Sequence, residues 1–123
     1  MIFNLRIIEA DDVPVMDANG LCDPYCKLYF SARPKETRLT KIIKKTLKPT
    51  FNDAFAFDVT DFSPSDFIFI RMKDQDFARS ENISSLKLQL IDFKLGKVYD
   101  FWCEMEKDKK VKKGGRIHLT AHL

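Results

Sequence analysis

The sequence predicts an all-β protein, an eight-stranded antiparallel β-sandwich, and three observations carry that reading. Apolar and polar residues alternate with a period of two through most of the chain. Turn residues punctuate these runs, and a helix fits only briefly, near residues 92–97. Finally, 123 residues with 45% hydrophobic content and 11 Phe are enough for a packed core without disulfides or a structural metal.

The elements follow in order. In "IFNLRII" Phe3, Leu5 and Ile7 alternate with Asn4 and Arg6. In "YCKLYF" one face carries Cys26, Leu28 and Phe30, the other Tyr25, Lys27 and Tyr29. Residues 38–45 form the third run, and "FNDAFAFDV" aligns Phe51, Phe55, Phe57 and Val59 for the fourth. "FIFIRM", residues 67–72, starts apolar on both faces, as a central strand covered on both sides would. Residues 85–91 and 98–105 come next, and "RIHLTAHL" closes with Ile117, Leu119, Ala121 and Leu123 on one face. With no repeat or linker, residues 1–123 read as one Greek-key domain.

Several function classes fall away. No apolar run approaches the roughly 20 residues of a membrane span. The acids in "MIFNLRIIEADD" do not suit a signal peptide. Cys22, Cys26 and Cys103 lack zinc spacing, so a reduced, cytoplasmic setting is expected. Cys26 is in phase with Leu28 and Phe30, and Cys103 with Phe101 and Met105, so both are expected to be buried, whereas Cys22, in a turn, is expected to reach solvent. The net charge of +3 hides an asymmetry. Residues 33–48 hold seven basic residues and one acid, and residues 107–116 hold six and one. The rest of the chain keeps eight basic residues against 16 acidic ones.

Those acids cluster where loops are expected. "MDANGLCDPY", residues 16–25, places Asp17 and Asp23 in one turn, and "KDQDFARSEN", residues 73–82, brings Asp74 and Asp76 after the central strand. Alternation puts Asp74 and Asp76 on one side, about 6–7 Å apart along the chain. A sandwich gathers its loops at two ends, so four aspartates converge if both loops share an end. Such carboxylates repel one another and raise their own pKa values. Ca²⁺, which takes 6–8 oxygens in flexible geometry, removes that cost better than Mg²⁺ with its tight octahedron.

The chain resembles the C2 domain family over essentially its whole length. "LRIIEADDVPVMDANGLCDPYCKLYF" resembles the family's opening, with Asp17 and the "DPY" of Asp23, Pro24 and Tyr25 in place. "TKIIKKTLKPTFNDAFAF" is similar to a segment of the form T-K-x-x-x-x-T-L-x-P-x-[FW]-N-x-x-F-x-F. "MKDQDFARSEN" resembles the third calcium loop, and "GGRIHLTAHL" a closing strand. The start and end of the match resemble the permuted, type II topology.

The resemblance implies a calcium-dependent module for anionic phospholipid, of the phosphatidylserine or phosphoinositide type. Asp17, Asp23, Asp74 and Asp76 become the carboxylate ligands, with main-chain oxygens from Met16 and Gln75. The family's fifth aspartate falls on Asn82, a neutral oxygen, and a frequent Ser ligand on Arg79; Glu81 stands one residue out of register. Leu21 and Phe77 are the expected membrane-inserting residues, and Lys27, Lys41 and Lys45 the expected headgroup contacts on one sheet face. Recruitment is expected from the cytoplasm to the inner face of membranes.

Other chemistry fits poorly. An EF-hand started at Asp17 would need Gly and Glu where Cys22 and Leu28 stand. His118 and His122 lie about 13 Å apart along a strand, too far to share a metal. No nucleophile–base pair or Gly-rich phosphate loop argues for catalysis, and the lysines lack the aromatic interleaving or recognition helix of a nucleic-acid binder. The alternative function is a calcium-independent scaffold that binds a protein partner through the basic face.

Overall fold

The computed structural model describes residues 1–76 and 79–123. Among these residues nine strands form two antiparallel sheets. In chain order they are β1 (Ile2–Asp11), β2 (Pro24–Phe30), β3 (Arg38–Leu39), β4 (Thr50–Asp58), β5 (Phe67–Gln75), β6 (Ser80–Gln89), β7 (Val98–Glu104), β8 (Glu106–Lys107) and β9 (Arg116–His122). One sheet runs β4-β1-β9-β7 and the other β3-β2-β5-β6-β8. The first strand lies between the fourth and the last, and the chain crosses to the other sheet before β2, which is the expected permuted arrangement.

Three segments depart from the sequence expectation. Of residues 38–45 only Arg38 and Leu39 pair as a strand. Beyond them Thr40, Ile43 and Thr46 donate N–H groups to the carbonyls of Cys26, Pro24 and Cys22 in an irregular connection, with Lys45 at φ +56°. β6 starts at Ser80 rather than residue 85, because the ladder with β5 carries residues 80–84, polar except for the buried Ile83, as strand. The short helix is a 3-10 turn at Leu90–Asp92, ahead of residues 92–97.

The inner faces pack as the alternation requires: Phe3, Leu5, Ile7, Leu28, Ile70, Ile117 and Leu119 are all buried. An aromatic cluster sits away from the aspartate loops. Phe30 meets Phe3, Phe57 and Phe62 edge-on, with ring centroids 5.6, 5.0 and 5.3 Å apart. The loop end is filled by Phe51 and by smaller groups, among them Val13, Cys22, Cys26 and Met72. Cys22 corrects the sequence reading: it is fully buried, because its turn folds over the end of the core.

On the outer face of the four-stranded sheet, His118 stands between two carboxylates. Its ring nitrogens lie 3.0 Å from Glu9 Oε2 and 2.6 Å from Asp100 Oδ1. The ring stacks on Trp102, and the Arg116 guanidinium covers the same indole. The hydrogen bonds to Glu9 and then Asp100 raise the His118 pKa above its usual value. A raised pKa means the imidazolium contributes stability below the unfolded value of about 6.5, lost as pH rises through the folded value. His118→Gln is therefore expected to destabilise more at pH 5.5 than at pH 9, as urea melts at both pH values would measure. A cost independent of pH would show that the two carboxylates do not hold a charged ring.

Candidate functional site

The two acidic loops meet where β2 begins beside the end of β5. Gly20, at φ +83°, and Asn19, whose side-chain oxygen accepts the Leu21 N–H at 3.0 Å, turn the first loop back. Asp17 and Met16 both donate N–H groups to the Leu21 carbonyl. The chain then enters β2 with Pro24 opposite Asp74 in the ladder. Asp74 is almost wholly buried, and its Oδ1 accepts the Asp23 N–H at 2.8 Å and the Cys22 thiol at 3.5 Å. Asp23 accepts the Lys45 N–H through its own Oδ1 at 2.6 Å, while its carbonyl takes the Gln75 N–H at 2.9 Å.

The electrostatics register the convergence. The Asp17 carboxyl is held above the usual range by partial burial, then by the charges of Asp74 and Asp23, a hydrogen bond to Asp74 and the charge of Asp76. Burial, with the same Asp74, Asp17 and Asp23, pushes the Cys22 thiol up as well, so it stays protonated and inert. The structure thus brings together the four aspartates picked from the sequence. Among the described residues, no three Asp, Glu, His or Cys side chains form a ready coordination sphere. Asp74 and Asp23 instead point oxygens at backbone donors. The donor set is nevertheless hard, anionic and crowded, which suits Ca²⁺.

The other sequence-selected residues are placed differently. A register shift at Met72 and Lys73 sets Asn82 opposite Lys73 and Glu81 opposite Asp74. Asn82 and Met16 line a cleft that none of the four aspartates lines. Gln75 ends β5, and its side-chain amide donates to the Asp76 carbonyl at 3.0 Å. Leu21 is half-buried, and Phe77 lies outside the described residues.

The three lysines do not share one strand face, since residues 40–45 leave the ladder. Lys41 pairs through both its N–H and its ammonium with Asp53 on β4, whereas Lys27 stands on the outside of β2, opposite Arg71. Sequence reasoning missed Arg71 and Lys73, which belong to the same outer face: Lys73 lies opposite Tyr25, and the Arg71 guanidinium covers the Phe69 ring at 5.1 Å. Their alternation with Met72 was the available signal.

The family model for the C2 domain matches residues 1–105. The chain belongs to the C2 domain family. Among curated relatives this C2 domain is 33% identical to synaptotagmin-1 of Caenorhabditis elegans over 100 residues, covering 80% of the chain and 23% of the relative. The chain therefore spans about a quarter of that protein's length. Among solved structures its fold is similar to a C2 domain of plant extended synaptotagmin 1, with a TM-score of 0.86, 21% identity and coverage of 98% and 92%. It is also similar to a structure of two C2 domains of extended synaptotagmin 2, described as calcium bound, with a TM-score of 0.81, 24% identity and coverage of 98% and 44%.

Proposed function

We propose that this C2 domain is a non-catalytic, peripheral membrane module that binds calcium and then anionic phospholipid from the cytoplasmic side, with residues 1–123 acting as one unit. The observation that supports this most is the convergence of Asp17, Asp23, Asp74 and Asp76 at one end of the sandwich, felt as mutual repulsion in the raised Asp17 carboxyl. These four would hold the ion, with main-chain oxygens of Met16 and Gln75 beside them. An ion held there would supply the positive charge that cancels this repulsion and favours an anionic lipid surface. Asp74, fixed by the Asp23 N–H and buried, positions the cluster; Asp76, at the exposed end of β5, faces the incoming surface. Leu21, and Phe77 by its place in the sequence, add apolar contact with the interface.

Lys27, with Arg71 and Lys73 beside it, contributes attraction to anionic headgroups, about 1 kcal/mol per charge near the surface and screened by salt. Lys41 contributes less than Lys27, because Asp53 already neutralises it. Sedimentation with phosphatidylserine-containing vesicles tests the whole. Binding is expected with calcium and anionic lipid together, and is expected to be lost in chelator or on neutral vesicles. Lys27→Ala is expected to weaken it about fivefold at low salt and little at high salt. Full binding in chelator would transfer the function to the basic sheet face and to the calcium-independent scaffold reading.

A further inference from the structure

Of the four sheet edges, β7 is the one left long, regular and open among the described residues. β3 and β8 are two residues long. β4 is interrupted by Asn52, at φ +51°, and met at its Asp53 side chain by the Lys41 N–H. β7 runs for seven residues, Val98–Glu104, in unbroken register with β9, and contains no Pro, Gly or Lys. Lys97, just outside it, lies over the Tyr99 ring. Natural edges are shortened, bent or charged because an open row of backbone groups invites a further strand.

The ladder fixes which groups face outward. Met105 donates its N–H to the Gly115 carbonyl, directly opposite when the β7–β9 register is continued. Hydrogen-bonded and open pairs alternate in an antiparallel ladder, so Tyr99, Phe101 and Cys103 are the residues bonded to β9. The N–H and C=O groups of Asp100, Trp102 and Glu104 therefore point out from the free edge. The side chains of these three are also exposed, on the outer face of the sheet.

That strip of the outer face is acidic. Asp100 accepts from His118, while Arg116, opposite Glu104, directs its guanidinium to Asp11. Glu9, Asp11, Asp100 and Glu104 outnumber Arg116 and His118 even when the imidazole is charged. A second copy of the chain fits this edge poorly. The most extensive antiparallel registers that keep both outer faces on one side set Asp100 opposite itself, opposite Glu104, or diagonal to itself beside Trp102. Each of them brings like charges together.

We propose that β7 is a docking edge for an extended basic segment of another protein, with Lys or Arg opposite Asp100 and Glu104 and an apolar residue opposite Trp102. Main-chain hydrogen bonds to the three outward-facing residues supply affinity, and the alternate side chains supply specificity. Trp102, stacked on His118 and covered by the Arg116 guanidinium, is the anchor. Calcium plays no part, because β7 carries none of the four aspartates.

Trp102 is the one tryptophan of the chain, so its fluorescence reports on the edge directly. The probe is the blocked peptide Thr-Lys-Thr-Val-Thr-Lys-Thr, titrated into the protein in excess chelator at low salt. Saturable binding is expected, weakened roughly tenfold or more in Glu104→Lys, which sets like charges opposite. Trp102→Ala, followed by calorimetry, is expected to weaken it about tenfold as well. Both side chains are exposed, so the fold is expected to survive. The peptide is expected to slow amide hydrogen exchange at Asp100, Trp102 and Glu104, and to leave Tyr99, Phe101 and Cys103 unchanged. N-methylation of its two lysines and its valine removes the N–H groups that face β7 without altering charge, and is expected to abolish binding. Absence of saturable binding, or equal binding of the methylated peptide, would overturn the pairing. So would an unchanged affinity in Glu104→Lys. Dimerisation of the chain alone with the same exchange pattern would make a second copy the occupant and overturn it too.

Discussion

Calcium is expected to raise the unfolding free energy by about 2.7 kcal/mol at a hundred times its Kd, or by about 10 °C in melting temperature for a chain of this size. The source is specific to the loop end. In the native fold Asp17 is disfavoured as a carboxylate by partial burial and by the charges of Asp74, Asp23 and Asp76, and the unfolded chain disperses them. Asp74→Asn is the decisive variant. The amide oxygen can still accept the Asp23 N–H, so the join between β2 and β5 survives while the central charge disappears. Without calcium, this variant is expected to be as stable as the parent or slightly more so. With calcium, most of the increment is expected to vanish. Thermal melts of both proteins in millimolar calcium and in chelator measure the difference, and equal calcium increments in the two would remove Asp74 from the site.

Phe30→Ala is expected to cost 3–5 kcal/mol, roughly the range for emptying a buried aromatic position. Phe30 is 2% exposed and makes three edge-on ring contacts that join β1, β2, β4 and the following loop. Such a loss is a large share of the 5–15 kcal/mol that holds a typical domain together. The residue ends β2, whereas Asp23 immediately precedes its start, so the calcium increment is expected to persist in the weakened protein. Urea unfolding gives the cost directly; a value under about 1 kcal/mol would mean that the aromatic cluster collapses without a cavity.

Much of this architecture was legible because half-buried strands print their alternation on the chain. β2, β4 and β9 were readable from Leu28, Phe57 and Leu119 and their neighbours. The aspartate cluster was readable because four aspartates occupy the two turn-rich segments that precede β2 and run on from the end of β5. The basic run after Leu39 was not, since its lysines alternate whether or not a ladder holds them, and here Lys41 turns to Asp53. The early start of β6 was equally hidden: Ser80, Glu81 and Asn82 read as loop, and only pairing with β5 makes them strand. The cleft at Met16 and Asn82 was out of reach because its Lys-rich wall depends on Lys113 finding Asp12, 101 residues away, and on a close backbone contact at Gly114.

The neighbouring positions of β1 and β9 give this fold a direction-dependent resistance to force. Antiparallel and adjacent, the two strands meet at Asn4 and His122, at the end remote from the aspartates. Tension drawing residues 2 and 122 apart peels their seven paired positions one after another, because the hydrogen bonds lie across the strands and along the pull. Tension between the loop end and residue 122 instead loads β9 along its axis, with β1 on one side and β7 on the other, and the rungs share the strain. A molecule held by its loops at a surface and tugged from its far end therefore resists better than one stretched between its own two ends.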